Sequence, residues 1–289
     1  MTFLRLSVLS SLSSFFPFFL FLPFLPLLMN RLTKLFTTKT KDLLNVYFTA
    51  GYPKLDDTET IIRSLAESGA DLIEVGVPYS DPMADGETIQ NSSMQALKNG
   101  MTLDTLFEQL RSAREQTQVP MVLMGYFNQV MQYGPDRFCK AAHEAGVDGL
   151  ILPDLPVYEY EQEFRAIAER YGLQVTFLVT PQTSDERIRK IGELSTGFIY
   201  VVSSSSITGK SGGITEGQKA YFARIAKLGL PQPRLIGFGI SDAKSFRTAC
   251  EYANGAIIGS AFIRALAGKE DVAAATADFV ESVLAVEAQ

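Results

Sequence analysis

Two carboxylates raise the question of chemistry. The stretch Asp71–Gly86, DLIEVGVPYSDPMADG, begins as an apolar, strand-like run and ends in an acid-rich segment broken by Pro78 and Pro82. Glu74 sits inside the run, walled by Val75 and Val77, and Asp85 follows in the loop beyond it. A carboxyl group enclosed in this way is desolvated. Desolvation raises its pKa and suits it to general acid–base work. A more exposed Asp85 stays ionised and can accept a hydrogen bond from a substrate N–H. The competing reading makes Glu74 a structural acid, satisfied by a backbone group or a tyrosine hydroxyl. Asp81, beside Pro82, reads as a turn residue.

A second set of residues fits an anion. GFGIS (237–241), GS (259–260) and ITGKSGG (207–213) each follow a strand-like run, and GS also opens a helix pattern. Backbone N–H groups at glycine turns and at a helix N-terminus bind anions, most often phosphate. Tyr47, Tyr126, Tyr200 and Phe238 lie near the ends of strand-like runs. Each alone is more often core than ligand contact. Together they predict a pocket for a flat, apolar group, with the phosphate at its other end. His143, the single histidine, has no companion ligands, so a metal site is not expected and a structural role is.

These residues need elements that bring them together. Apolar runs at 46–50, 72–77, 121–126, 148–153, 174–180, 198–203, 234–239 and 255–260 predict eight strands. The runs are continuous rather than alternating, as in parallel strands covered on both faces. Amphipathic segments lie between them. Leu103, Leu106, Phe107 and Leu110 share one helical face, as do Phe164, Ile167, Ala168 and Tyr171. Gly69, Gly146 and Gly172 fall where helix patterns stop, and Thr183 with Glu186 predicts a capping box. Eight strands alternating with helices predict an α/β fold, a closed (β/α)8 TIM barrel, a fold that typically takes about 250 residues. An open doubly wound sheet is the rival, weakened by the lack of G-x-G-x-x-G after the first strand. In such barrels the active site lies at the C-terminal strand ends, which gathers Glu74, Asp85 and the glycine loops at one mouth.

The chain has 289 residues, a formal charge of −6 and a pI near 5.0, with no basic face to suggest a nucleic-acid partner. Cys139 and Cys250 are far apart and unpaired in pattern, consistent with a reducing, cytoplasmic setting. Residues 15–29, FFPFFLFLPFLPLLM, contain no polar side chain. The run is shorter than the roughly 20 residues of a membrane span and carries three prolines. Composition changes abruptly at Met29, where MNRLTKLFTTKTKDLL predicts an extra N-terminal amphipathic helix. The expectation is a hydrophobic extension at 1–28 outside the fold, translation from Met29, and one barrel domain over 29–289. A membrane anchor or targeting segment is the alternative.

IEVGVPYSDPMADGETIQ closely resembles the signature of the tryptophan synthase alpha chain family. VYFTAGYP, VLMGYFN, ILPDLP, SSSITG, IGFGIS and IIGSA extend the likeness from about Met29 to the end. The resemblance implies a barrel enzyme that cleaves indole-3-glycerol phosphate to indole and glyceraldehyde 3-phosphate, with no cofactor of its own. It also implies a beta-chain partner that carries pyridoxal phosphate, in an alpha2-beta2 heterotetramer. By position in the motif, Glu74 and Asp85 correspond to the catalytic acids. Tyr200 and Thr208 correspond to residues lining the site, and Gly209, Gly239, Gly259 and Ser260 to the phosphate cradle. Ser204 and Ser206 depart from the arginine and glycine common in the loop after strand 6, which bears on loop closure and partner coupling. The other functions to weigh are a phosphosugar isomerase or epimerase barrel, and an activating subunit without turnover of its own.

Overall fold

The structure is a computed structural model that describes residues 29–82, 85–203, 214–237 and 239–285. Among these residues, eight parallel strands close into a barrel, each pairing with its neighbours in chain order. They are β1 (Leu43–Thr49), β2 (Leu72–Gly76), β3 (Met121–Met124), β4 (Gly149–Ile151), β5 (Gln174–Val179), β6 (Ile199–Val202), β7 (Arg234–Gly237) and β8 (Gly255–Ile258). Every expected strand is present; β1 starts three residues earlier than expected and ends one earlier, and the other seven are one to three residues shorter than expected. β1, β2, β3, β6 and β8 are buried at every position, which explains why their sequences run apolar without alternation.

The helices enclose the barrel through the apolar stripes seen in the sequence. Leu106, Phe107 and Leu110 are buried on the helix Leu103–Gln116. The glycines placed at helix stops adopt left-handed backbone, with Gly69 at φ 101° after the helix Asp57–Ser68. One cap differs from expectation. Ser184, not Thr183, caps the helix Asp185–Leu194, accepting from the Arg187 N–H. The Thr183 hydroxyl is already engaged one turn earlier, where it accepts from the Thr180 N–H at 2.9 Å.

The extra N-terminal helix, Arg31–Thr38, stands across the N-terminal end of the barrel. Leu32 is fully buried, with its side chain close to Gly149 at the start of β4 and to Gly197 just before β6. The Asn30 amide donates to the Asp148 and Gly172 carbonyls, both at 2.9 Å, while its own oxygen caps the helix. Asp148 binds Arg31 at 3.1 Å and Arg114 at 3.2 Å. The closed floor leaves the opposite end of the barrel as its open mouth.

Candidate active site

Glu74 is the third residue of β2, two positions below the strand end. Parallel pairing sets Tyr47 of β1 opposite Glu74, and Asn45 opposite Leu72. Side chains alternate along a strand, so Asn45, Tyr47 and Thr49 share one face. Asn45 Nδ2 donates to Glu74 Oε2 at 2.7 Å. Glu74 Oε1 is equally buried and has no hydrogen-bond partner among the described residues. Burial pushes the Glu74 carboxyl up to about 8, opposed by the Asn45 hydrogen bond and reinforced by the negative charge of Asp85. The group satisfying Glu74 is thus an amide, neither backbone nor a tyrosine hydroxyl. It satisfies only one of the two oxygens.

Asp85 is less open than its loop position predicts, with only 6% of its surface exposed. Two neighbouring elements enclose it. Tyr126, which follows β3, donates its hydroxyl to Asp85 Oδ2 at 3.0 Å. Gln90, on the helix Glu87–Lys98, donates to the Asp85 carbonyl at 2.8 Å. Burial raises Asp85 to about 6, against the lowering effect of the Tyr126 bond. Two carboxyls in one site therefore titrate on either side of neutrality, with Glu74 the more basic. Asp81 is exposed and engaged locally, accepting from the Ser80 hydroxyl at 2.7 Å, as a turn residue should be.

Tyr47 and Tyr200 are almost fully buried. Burial, followed by the negative charge of Asp85, holds the Tyr47 phenol well above the ordinary tyrosine range. Burial, then Glu74, does the same for Tyr200. Both phenols stay neutral at physiological pH. Their rings fit because the facing strand positions are glycine. A Cβ on Gly76 would collide with the Tyr47 ring and hydroxyl, and one on Gly237 with those of Tyr200. Beside Tyr47 lies a small pocket that Tyr79, Asp85, Met124, Tyr126 and Pro153 also line, among others. Tyr79 and Tyr126 stack there at 4.9 Å between ring centroids. This side of the pocket is walled by aromatic rings.

Gly239 and Gly259 lie at the same end of the neighbouring strands β7 and β8. Gly239, just past β7, has φ +79°, a conformation that favours glycine. Gly259 has no such constraint. It approaches the Tyr47 ring closely enough that a Cβ would stand 3.3 Å from Cδ1. Ser260 opens the helix Ser260–Leu266, whose N-terminus carries no side-chain cap, whereas Asp242 caps the preceding helix, Ala243–Cys250. Thr208, Gly209 and Phe238 lie outside the described residues, as do Ser204 and Ser206. His143 is exposed on the helix Pro135–Glu144, and both cysteines are free and buried.

Asn45 is the site residue that sequence reasoning missed. Its signal was present: a polar amide within LLNVYFT, two positions before Tyr47 and so on the same strand face. Gly76 was missed for the opposite reason, since it belongs to a strand and to no glycine loop.

The sequence model of the family Tryptophan synthase alpha chain matches residues 34–288. A tryptophan synthase alpha chain from Flavobacterium johnsoniae is 56% identical over 238 residues, covering 82% of this chain and 94% of the relative. Among solved structures, a mutant tryptophan synthase alpha-subunit from the hyperthermophile Pyrococcus furiosus superposes with a TM-score of 0.78 at 35% identity. That comparison covers 86% of this chain and 100% of the other. A chain of the tryptophan synthase complex from the same organism also matches, with a TM-score of 0.78, 34% identity and the same coverage. A barrel with paired carboxyls at its mouth, matched over nearly all its described length at these identities, belongs to the tryptophan synthase alpha chain family.

Proposed function

We propose that this chain cleaves indole-3-glycerol phosphate to indole and glyceraldehyde 3-phosphate, with Glu74 and Asp85 as the catalytic pair. The observation that carries the reading is Glu74: a carboxyl raised to about 8, with one oxygen unpartnered, beside a second carboxyl that titrates about two units lower. The cleavage is a retro-aldol reaction at indole C3. Protonated Glu74 gives its proton to C3, and the ring becomes cationic. The Asp85 carboxylate accepts a hydrogen bond from the indole N–H and stabilises that charge. The hydroxyl next to the breaking bond then loses its proton to Glu74. A C=O forms as the C–C bond breaks, and the bonding pair returns to the ring. One proton enters and one leaves, so Glu74 ends as it began. General acid–base catalysis of this kind contributes typically ~10²–10⁴-fold.

Tyr47, Tyr126 and Tyr200 wall the indole, with Phe238 and Thr208 completing the site. Gly239, Gly259, Ser260 and Gly209 cradle the phosphate, which an uncapped helix N-terminus after β8 supports. The catalytic unit is the barrel over 29–289, with residues 1–28 outside it. It works in the cytoplasm, in an alpha2-beta2 heterotetramer with a beta chain that holds pyridoxal phosphate and takes the indole. Among the described residues no helix is long and apolar enough to cross a membrane. The test is indole release from indole-3-glycerol phosphate by the purified chain, alone and with a beta chain. Turnover of a pentose phosphate in place of the indole substrate would favour an isomerase or epimerase. No turnover by the chain alone or within the complex would favour a silent activating subunit.

A further inference from the structure

We propose that Asn45 is a positioning residue for this reaction: its amide holds Oε2 of Glu74, so that Oε1 is the oxygen that exchanges protons with substrate. The proposal rests on the catalytic reading of Glu74. Asn45 is fully buried on β1, one inward position closer to the barrel floor than Tyr47. Its Nδ2 lies 2.7 Å from Glu74 Oε2, a charge-assisted bond when the carboxyl is ionised. An amide N–H can only donate, so it disfavours a proton on Oε2 and directs it to Oε1. Oε1 is the oxygen left unpartnered, and a partner supplied by substrate would complete it. A carboxyl with both oxygens tied to protein groups would have no oxygen free for C3, and an untethered one would rotate about its terminal torsion.

The same bond limits how far burial can raise Glu74. The titratable groups that act with Glu74 are Asp85 from the loop after β2, Tyr47 from β1 and Tyr200 from β6. No cation among the described residues opposes burial, so the Asn45 amide is the group that lowers Glu74.

The test uses Asn45→Leu, which keeps the shape and removes the donor, and Asn45→Asp, which replaces the donor with an acid. The full chain is labelled with ¹³C at the glutamate side-chain carboxyl, and Glu74→Gln assigns the resonance. The Glu74 titration midpoint should rise by about one to two pH units in Asn45→Leu, as expected for losing a hydrogen bond to a charged group. It should rise at least as far in Asn45→Asp, which is also the readout if the leucine variant does not fold. The alkaline limb of kcat/KM should move up with it, while the acid limb, set by Asp85, stays. A midpoint unchanged in both variants overturns the proposal. So does activity lost equally at every pH, the signature of a merely structural residue. A midpoint that rises while the kcat/KM profile stays fixed would show that Glu74 is not the group whose proton matters. That outcome removes the catalytic reading and the positioning role together, and leaves only the hydrogen bond.

Discussion

At the scale of single residues, the site is a problem of keeping two acids in different states. In the proposed mechanism Glu74 must hold a proton to give, and Asp85 must be charged to receive an N–H. Burial alone would raise both. The difference lies in how the acids start and what touches them. Asp85 begins lower and accepts from Tyr126, which leaves it near 6, whereas Glu74 reaches about 8 despite Asn45. The competent form, Glu74 protonated and Asp85 ionised, should therefore dominate between about pH 6 and 8. A plot of kcat/KM against pH should be bell-shaped, falling below 6 as Asp85 gains its proton and above 8 as Glu74 loses its own. Glu74→Gln and Asp85→Asn should each reduce indole release by at least ~10²-fold with the fold retained. Retention of more than a tenth of wild-type turnover in either variant would remove that residue from the mechanism.

At the scale of elements, the strands position Glu74, and the connections carry the proposed phosphate site. Asn45, Tyr47 and Glu74 come from two neighbouring strands whose pairing fixes their relative heights. Tyr47 can lie across β2 because Gly76 has no side chain in its way. Gly239 and the Gly259–Ser260 turn follow β7 and β8, and the helix that opens after β8 carries no side-chain cap. Gly239→Asp should raise KM sharply with a smaller effect on kcat. The substitution strains a left-handed turn and sets a negative charge where the phosphate is assigned. Titrating the variant with glycerol phosphate gives the cleanest reading. Unchanged affinity would move the anion site away from this loop.

At the scale of the whole molecule, the raised acids weaken the fold that holds them. The folded protein retains a proton on Glu74 from about pH 4.5 to 8, where an unfolded chain would release it, and on Asp85 over a narrower range up to about 6. The native state thus binds more protons than the unfolded state, and stability falls as pH rises through this range. Glu74→Gln mimics the protonated acid. It should be more stable than wild type by an amount that grows from nothing below about pH 4.5 to a few kcal/mol, on the order of what the shift implies, by pH 8. Denaturant unfolding of both proteins across that range measures it, and a constant difference would contradict a net rise of the Glu74 carboxyl on folding. Partner coupling also belongs to this scale. Asp85 sits on a connection, and a hydroxyl from beyond β3 holds its carboxyl. A beta chain that binds this arrangement preferentially would raise the fraction of correctly placed sites. Indole release should therefore be slow for the chain alone and faster with its partner. Equal rates would mean that the arrangement is already complete without it.

The alternation of apolar runs with amphipathic segments was enough to predict a barrel, because strands covered on both faces tolerate few polar residues and helices on a barrel bury one stripe. Glu74 was legible for the same reason: a carboxylate in such a run contradicts its surroundings. What the sequence by itself could not determine was which groups meet. Asn45 precedes Glu74 by 29 positions and Tyr126 follows Asp85 by 41, so both contacts depend on the strand register and the closure of the barrel. Only the tertiary structure decided that Asp85 is enclosed rather than open, because a tyrosine from the next strand's connection and a glutamine from the following helix close over it. It also decided that Glu74 keeps one oxygen without a partner among the described residues, since the amide that binds the other comes from the strand beside it.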